Sequence, residues 1–130
     1  MKKIILPPSM SPPQGNYSHG IVVSPGRLLF IAGQTAVGPD GNIVGVGDAF
    51  AQARQAYENI GAILSDAGMT FADIVKMTTY ITDVSFREKV NEVRRHYLKK
   101  DFPANTLVVV KGLAREEYLV EIEAIASAEK

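Results

Sequence analysis

The order of segments in this 130-residue chain predicts an α+β fold, a mixed β-sheet with two helices packed on one face. Three observations carry that prediction. Apolar, β-prone runs occupy residues 21–23, 28–32, 76–82, 103–110 and 118–126. Two intervening segments change to steps of three and four, the period of an amphipathic helix. The chain is the size of one domain, long enough to bury a core without staples, and no repeat, linker or low-complexity tract divides it. One domain over residues 1–130 is therefore expected.

Each element has a local reason. Residues 7–16 are rich in Pro, Ser, Gly and Gln and read as an extended arm, because proline lacks an N–H and restricts its predecessor. The strand at 21–23 and the strand at 28–32, which stops at Gly33, flank the turn signal Ser24-Pro25-Gly26 and are expected to form a hairpin. A second turn follows at Gly38-Pro39-Asp40-Gly41-Asn42, with Ile43-Val44 a candidate for a further short strand. Phe50, Ala53, Tyr57, Ile60, Leu64 and Ala67 then form one helical stripe, with Asp48 as N-cap and Gly68 just past the end. Thr70 and Asp73 have the spacing of a capping box, and so do Ser85 and Glu88. Phe86, Val90, Val93 and Tyr97 give the second helix, which is expected to end near Lys99 and Lys100, where cations suit its dipole. The resulting order is β-β-α-β-α-β-β. Two helices cover only one face of such a sheet, so a second subunit is expected to cover the other.

Bulk composition narrows the function. Hydrophobic residues make up 46% and charged residues 22%, an ordinary globular balance. The formal net charge is zero, which argues against nucleic-acid binding through a broad basic field. The basic run Arg94-Arg95-His96 with Lys99 and Lys100 reads as a solvated helix end, without interleaved stacking aromatics. No cysteine is present, so disulfides and thiolate chemistry are excluded, and His19 and His96 are too far apart in sequence to suggest a metal site. The apolar run after Met1 is too short for a signal peptide, and no run could span a bilayer, so a cytoplasmic location is expected, with no membrane partner.

Four places could carry chemistry. On the last strand, residues two apart share a face, so Glu121 and Glu123 lie with Leu119 and Ile125, opposite Tyr118, Val120, Ile122 and Ala124. A carboxylate on a half-apolar face can serve in proton transfer. The same pattern also suits a solvated pair on an outer strand face. Tyr17, in Gly15-Asn16-Tyr17-Ser18-His19-Gly20, can present a phenol to a cleft or simply pack. Gly33, at a strand end, lets a ligand approach backbone amides or marks a simple bulge or turn. Asn105, in Phe102-Pro103-Ala104-Asn105-Thr106, offers a neutral amide or a turn residue.

Taken in order, these motifs resemble the Rid (reactive intermediate deaminase, YjgF) family. The resemblance rests on Gly15-Asn16-Tyr17-Ser18, Phe30-Ile31-Ala32-Gly33-Gln34, Ala51-Gln52-Ala53-Arg54-Gln55 with Asn59-Ile60, and Ala67-Gly68. It continues through Asp73-Ile74-Val75-Lys76-Met77-Thr78, Val90-Asn91-Glu92-Val93, Phe102-Pro103-Ala104 and Val120-Glu121-Ile122-Glu123-Ala124-Ile125-Ala126. It implies a chorismate-mutase-like subunit in a homotrimer with a central barrel and ligand clefts between subunits. It also implies hydrolysis of small imines or enamines to carbonyl compounds and ammonia, without metal or cofactor. By the same resemblance Glu121 would position the attacking water, Tyr17 would line the cleft and Gly33 would offer backbone contacts. Older names in the family speak of translation inhibition and endoribonuclease activity, which the zero net charge argues against.

The pattern departs at one place. After Pro103-Ala104 the family's deaminases have an arginine that grips the substrate carboxylate, whereas this chain has Asn105. Ala32 replaces the small hydroxyl often found before the glycine, and Leu107 makes the region more apolar. The expected ligand is therefore neutral, or has its carboxylate bound elsewhere, and a standard 2-imino acid is not the expected substrate. The alternative is a trimer that binds a small molecule without turning it over.

Overall fold

A computed structural model describes residues 2–24 and 26–129. Its strands are β1 (Lys2–Ile5), β2 (Gly20–Val23), β3 (Arg27–Gln34), β4 (Ile74–Ile81), β5 (Ala104–Val109) and β6 (Val120–Ala128). Its helices are α1 (Ala49–Asp66) and α2 (Arg87–Tyr97). The main sheet has the order β3-β6-β4-β5, with β6 antiparallel to both neighbours and β4 parallel to β5. The mixed sheet with both helices on one face is as the sequence predicts.

Alternation decides which side of the sheet is core. Val120, Ile122, Ala124 and Ala126 of β6 are buried together with Ile74, Met77 and Ile81 of β4. Ala53, Tyr57, Ile60 and Leu64 of α1 close over them, joined by Val90 and Val93 of α2. Asp48 caps α1 by accepting the Ala51 N–H at 3.1 Å. Gly68 follows the helix with φ of +72°, a left-handed conformation that glycine adopts without steric cost. Thr70 and Asp73 close the expected box, with the Thr70 N–H donating to Asp73 Oδ2 at 2.8 Å.

Three local expectations are corrected. The hairpin between residues 21–23 and 28–32 does not form: β2 pairs with β1, and β3 with β6. β1 arises from Lys2–Ile5, whose register with Gly20–Val23 uses the edge that the hairpin would have needed. The turn expected there includes Pro25, which lies outside the described residues. The second capping box is also displaced. Asp83 accepts the Ser85 N–H at 2.8 Å and opens a 3-10 turn, Val84–Phe86, that leads directly into α2. Finally, Ile43-Val44 forms no strand; Val37 and Ile43 make an isolated antiparallel bridge across the glycine turn.

Candidate active site

Two polar regions stand out, and they lie on opposite faces of the sheet. The first is a cavity of about 560 Å³ beneath α2, beside the edge strand β5. Its lining includes Tyr17, Asn105 and Leu107 together with Arg87, Asn91 and Arg94. The segment carrying Tyr17 is held there by Ser18. Its N–H donates to the Pro103 carbonyl at 3.0 Å, its hydroxyl donates to the Phe102 carbonyl at 2.5 Å, and it forms a parallel bridge with Ala104. The N-terminal arm is thereby laid along the start of β5, which sets Tyr17 beside Asn105. The Tyr17 ring also meets His19 edge-on at 5.8 Å, and His19 bonds the Ser11 carbonyl at 2.8 Å.

Asn105 and Leu107 stand in register with Met77 and the buried Thr79, which places them on the helix-facing side. The Thr79 hydroxyl donates to Asn105 Oδ1 at 3.2 Å. That bond fixes the amide and leaves its NH₂ as a neutral donor.

The second region surrounds Glu121. This residue is half-buried on the outer face, in register with Tyr80, while Glu123 in the same row of side chains is exposed. Gly33 is what makes room for it. A Cβ at Gly33 would lie 1.9 Å from Glu121 Oε2 and 2.7 Å from its carboxyl carbon, so no other residue fits without moving the carboxylate. The β3–β6 pairing shifts here, from Ile31↔Ala124 to Gln34↔Ile122. Ala32 and Gly33 therefore oppose Glu123 alone, a β-bulge that brings backbone close to an acidic group. The bulge reading of Gly33 holds, and the space over its backbone is taken by the Glu121 carboxylate.

Gln52 sets the entry of β6. Its side chain is fully buried, and its Nε2 donates to the Glu117 carbonyl at 2.9 Å and the Gly45 carbonyl at 3.1 Å. Its Oε1 accepts the Leu119 N–H at 2.9 Å. A buried amide satisfied on both sides holds the chain two residues before Glu121. On the outer face the Tyr80 hydroxyl is held above its ordinary pKa by desolvation first, and then by the charges of Glu123 and Glu121. It stays protonated and can donate to an oxygen beside Glu121.

Of the sequence-predicted residues, Tyr17, Asn105 and Leu107 share the cavity under α2, and Glu121 with Gly33 forms the separate outer-face region. One chain does not bring the two groups together. The reading of Arg94 as part of a solvated helix end is corrected: it is buried, with 4% of its surface exposed, whereas Arg95 and His96 are exposed as expected. Arg94 lies four residues after Val90 and three before Tyr97, within the apolar stripe, and that spacing is the signal that marks it as inward-facing. Among the described residues, no group of three or more His, Cys, Asp or Glu side chains could hold a metal. No helix among them is long and apolar enough to cross a membrane.

The mixed sheet, its two helices and the acidic strand β6 beside the bulged β3 define a class that comparison with known proteins identifies. The profile of the family described as Endoribonuclease L-PSP matches residues 9–128. A RutC family protein of Pyrococcus horikoshii is 40% identical over 129 residues, covering 99% of this chain and 100% of its own. The human 2-iminobutanoate/2-iminopropanoate deaminase is 35% identical over 112 residues, covering 86% of this chain and 80% of its own. A crystal structure of a Rid-family protein from Yersinia pestis superposes with a TM-score of 0.90 at 34% identity, covering 98% of both chains. Escherichia coli TdcF with bound serine superposes at 0.73 with 35% identity, covering 98% of this chain and 99% of that one. The chain belongs to the Rid (YjgF, RutC) family.

Proposed function

We propose that this protein hydrolyses small imines or enamines to a carbonyl compound and ammonia, in clefts completed by neighbouring copies of the chain in a homotrimer. The observation that carries the reading is the Glu121 carboxylate seated over the Gly33 backbone. The activity named for the human relative, deamination of 2-iminobutanoate and 2-iminopropanoate, supports it. An iminium carbon is already electrophilic, so catalysis requires mainly an oriented water and a proton relay. Glu121 accepts a proton from the water as its oxygen bonds to the carbon and the C=N electron pair moves to nitrogen. The carboxylic acid then returns that proton to nitrogen. As the C–N bond breaks, the carbinolamine hydroxyl passes its proton to the regenerated Glu121 carboxylate and becomes the carbonyl, and ammonia departs, taking up that proton as ammonium in water.

Assembly supplies what one chain lacks. The outer face exposes Leu28, Phe30 and Val108 beside the half-buried Ile125. Three such faces packed into a central barrel would cover this apolar surface. They would also set Glu121 of one copy within reach of the Tyr17 and Asn105 pocket of the next.

The test is Glu121→Gln, assayed with imine generated in place by an amino-acid oxidase and followed by ammonia release. Turnover is expected to fall by about 10²–10⁴-fold, the usual worth of a positioned acid–base group. A variant as active as the parent ends the assignment. A parent protein that binds ligand but never turns it over establishes the binding-only alternative.

A further inference from the structure

Arg94 is the only buried charged side chain among the described residues. Its Nε is sealed from solvent without a well-formed hydrogen bond, and no carboxylate among those residues forms an ion pair with its guanidinium. Burial of an unpaired charge is costly, and an aliphatic residue in the Val90–Val93 stripe would avoid that cost. Its neighbour in the core is the Tyr57 hydroxyl, also buried, which makes no well-formed hydrogen bond but lies close enough for the guanidinium to act on it as a weak polar contact. That phenol is pushed up to about 12 by burial, although the Arg94 charge acts in the opposite direction. It therefore remains neutral and cannot balance the guanidinium. Glu88 also lines the cavity, but it is exposed and forms no ion pair with Arg94.

The cavity resolves what the sequence leaves open. Arg94 lines it together with Asn105, the residue that stands where the family's deaminases have an arginine. Arg87 and Arg95 add two more guanidinium groups at its exposed margin, against the single carboxylate of Glu88. We propose that Arg94 is the anion-binding residue of this cleft, taking the carboxylate of a 2-imino or 2-enamino acid with the Asn105 amide as a neutral second donor. The positive charge is thereby supplied from α2 instead of β5. A planar guanidinium fork matches a carboxylate in a way that a lone amide does not. Asn91 Oδ1, buried and unpartnered on the same cavity wall, is left to accept a bond from a ligand N–H or O–H. This takes the second branch of the expectation, a carboxylate bound elsewhere than at residue 105 alone, and rests on the proposed function for the identity of the reaction.

Calorimetric titration of the assembled protein with 2-oxobutanoate and with 2-oxobutanamide tests the binding claim without relying on turnover. The acid is expected to bind at least about tenfold more tightly than the amide. Arg94→Gln is expected to remove that preference while leaving amide binding unchanged, and Arg94→Lys to retain part of it. Equal affinity for acid and amide in the unaltered protein overturns the proposal even if every Arg94 variant fails to fold. Unchanged acid affinity in a folded Arg94→Gln protein overturns it as well. The two readings fail separately. An Arg94-dependent acid preference without imine hydrolysis removes the deaminase reading and keeps this one, and rapid hydrolysis of neutral imines with no acid preference does the opposite.

Discussion

The two faces of the main sheet use the same strands for opposite ends. On the helix-facing side, Ile122, Ala124 and Ala126 of β6 are buried against Ile60, Leu64 and Val93. On the other, Phe30 is 70% exposed, Leu28 is exposed, and Glu121 and Tyr80 are half-buried among them. The first face is finished by the chain itself. The second carries the acidic group and an apolar surface that no described residue covers, so any chemistry it has depends on what packs against it. The difference teaches that stability and the acid–base step of the proposed reaction fall to different faces: the core sets the position of β6, and under that proposal the uncovered face presents Glu121.

Phe30→Asp should break the comparison most completely. A charge on the exposed apolar face is costly to bury between copies and harmless to the single-chain core. The expected result is a species at the 14.1 kDa chain mass by sedimentation, with helicity kept and turnover lost. A trimer that survives with full activity removes the role given to the outer face. Ile122→Ala should act on the opposite side and in the opposite way. It deletes a fully buried side chain from the centre of the core, at a cost of about 2–5 kcal/mol in urea unfolding. Because Ile122 adjoins Glu121 but faces the helices, the folded variant should retain activity. The next effect is smaller still: Asp48→Ala removes the cap of α1 and should cost about 1 kcal/mol by the same measurement.

The two faces were also unequally legible in the sequence. Period-two alternation in β6 separates Glu121 and Glu123 from Ile122 and Ala124 without any tertiary information. The helical stripes place Tyr57, Ile60, Val90 and Val93 inward in the same way. What escaped depends on partners distant in the chain. Lys2–Ile5 is four residues with no alternation, and it becomes a strand only because Gly20–Val23 lies beside it. Asp83 rather than Ser85 opens the second helical segment because a 3-10 turn precedes α2, a detail that spacing alone does not encode. Arg94 sat inside the predicted stripe, but residue type suggested solvent while position suggested core. Only the cavity shared with Asn105 and Tyr17, built by the arm lying along β5, explains how both signals hold.

The smallest effect at neutral pH concerns a polar breach in the helix layer. Tyr57 stacks on Tyr97 with ring centroids 5.0 Å apart and planes within 10°, and its hydroxyl lies buried beside Arg94 without a well-formed hydrogen bond. Tyr57→Phe removes an unsatisfied hydroxyl while keeping the ring, so stability at pH 7 should change by less than about 1 kcal/mol. The distinction emerges in alkali. In the unfolded chain the phenol loses its proton near its ordinary value of 10.0, but in the fold only at about 12. Above the lower value the native state binds more protons than the unfolded state, so stability falls as pH rises between the two. This contribution is fully present below pH 10.0 and is lost by about 12. Urea midpoints measured across that window should decline more steeply for the parent than for Tyr57→Phe. If the two decline in parallel, the hydroxyl is reached by water or base in the native state. The layer between α1 and α2 would then be open rather than sealed, and the unpaired burial of Arg94 would lose its premise.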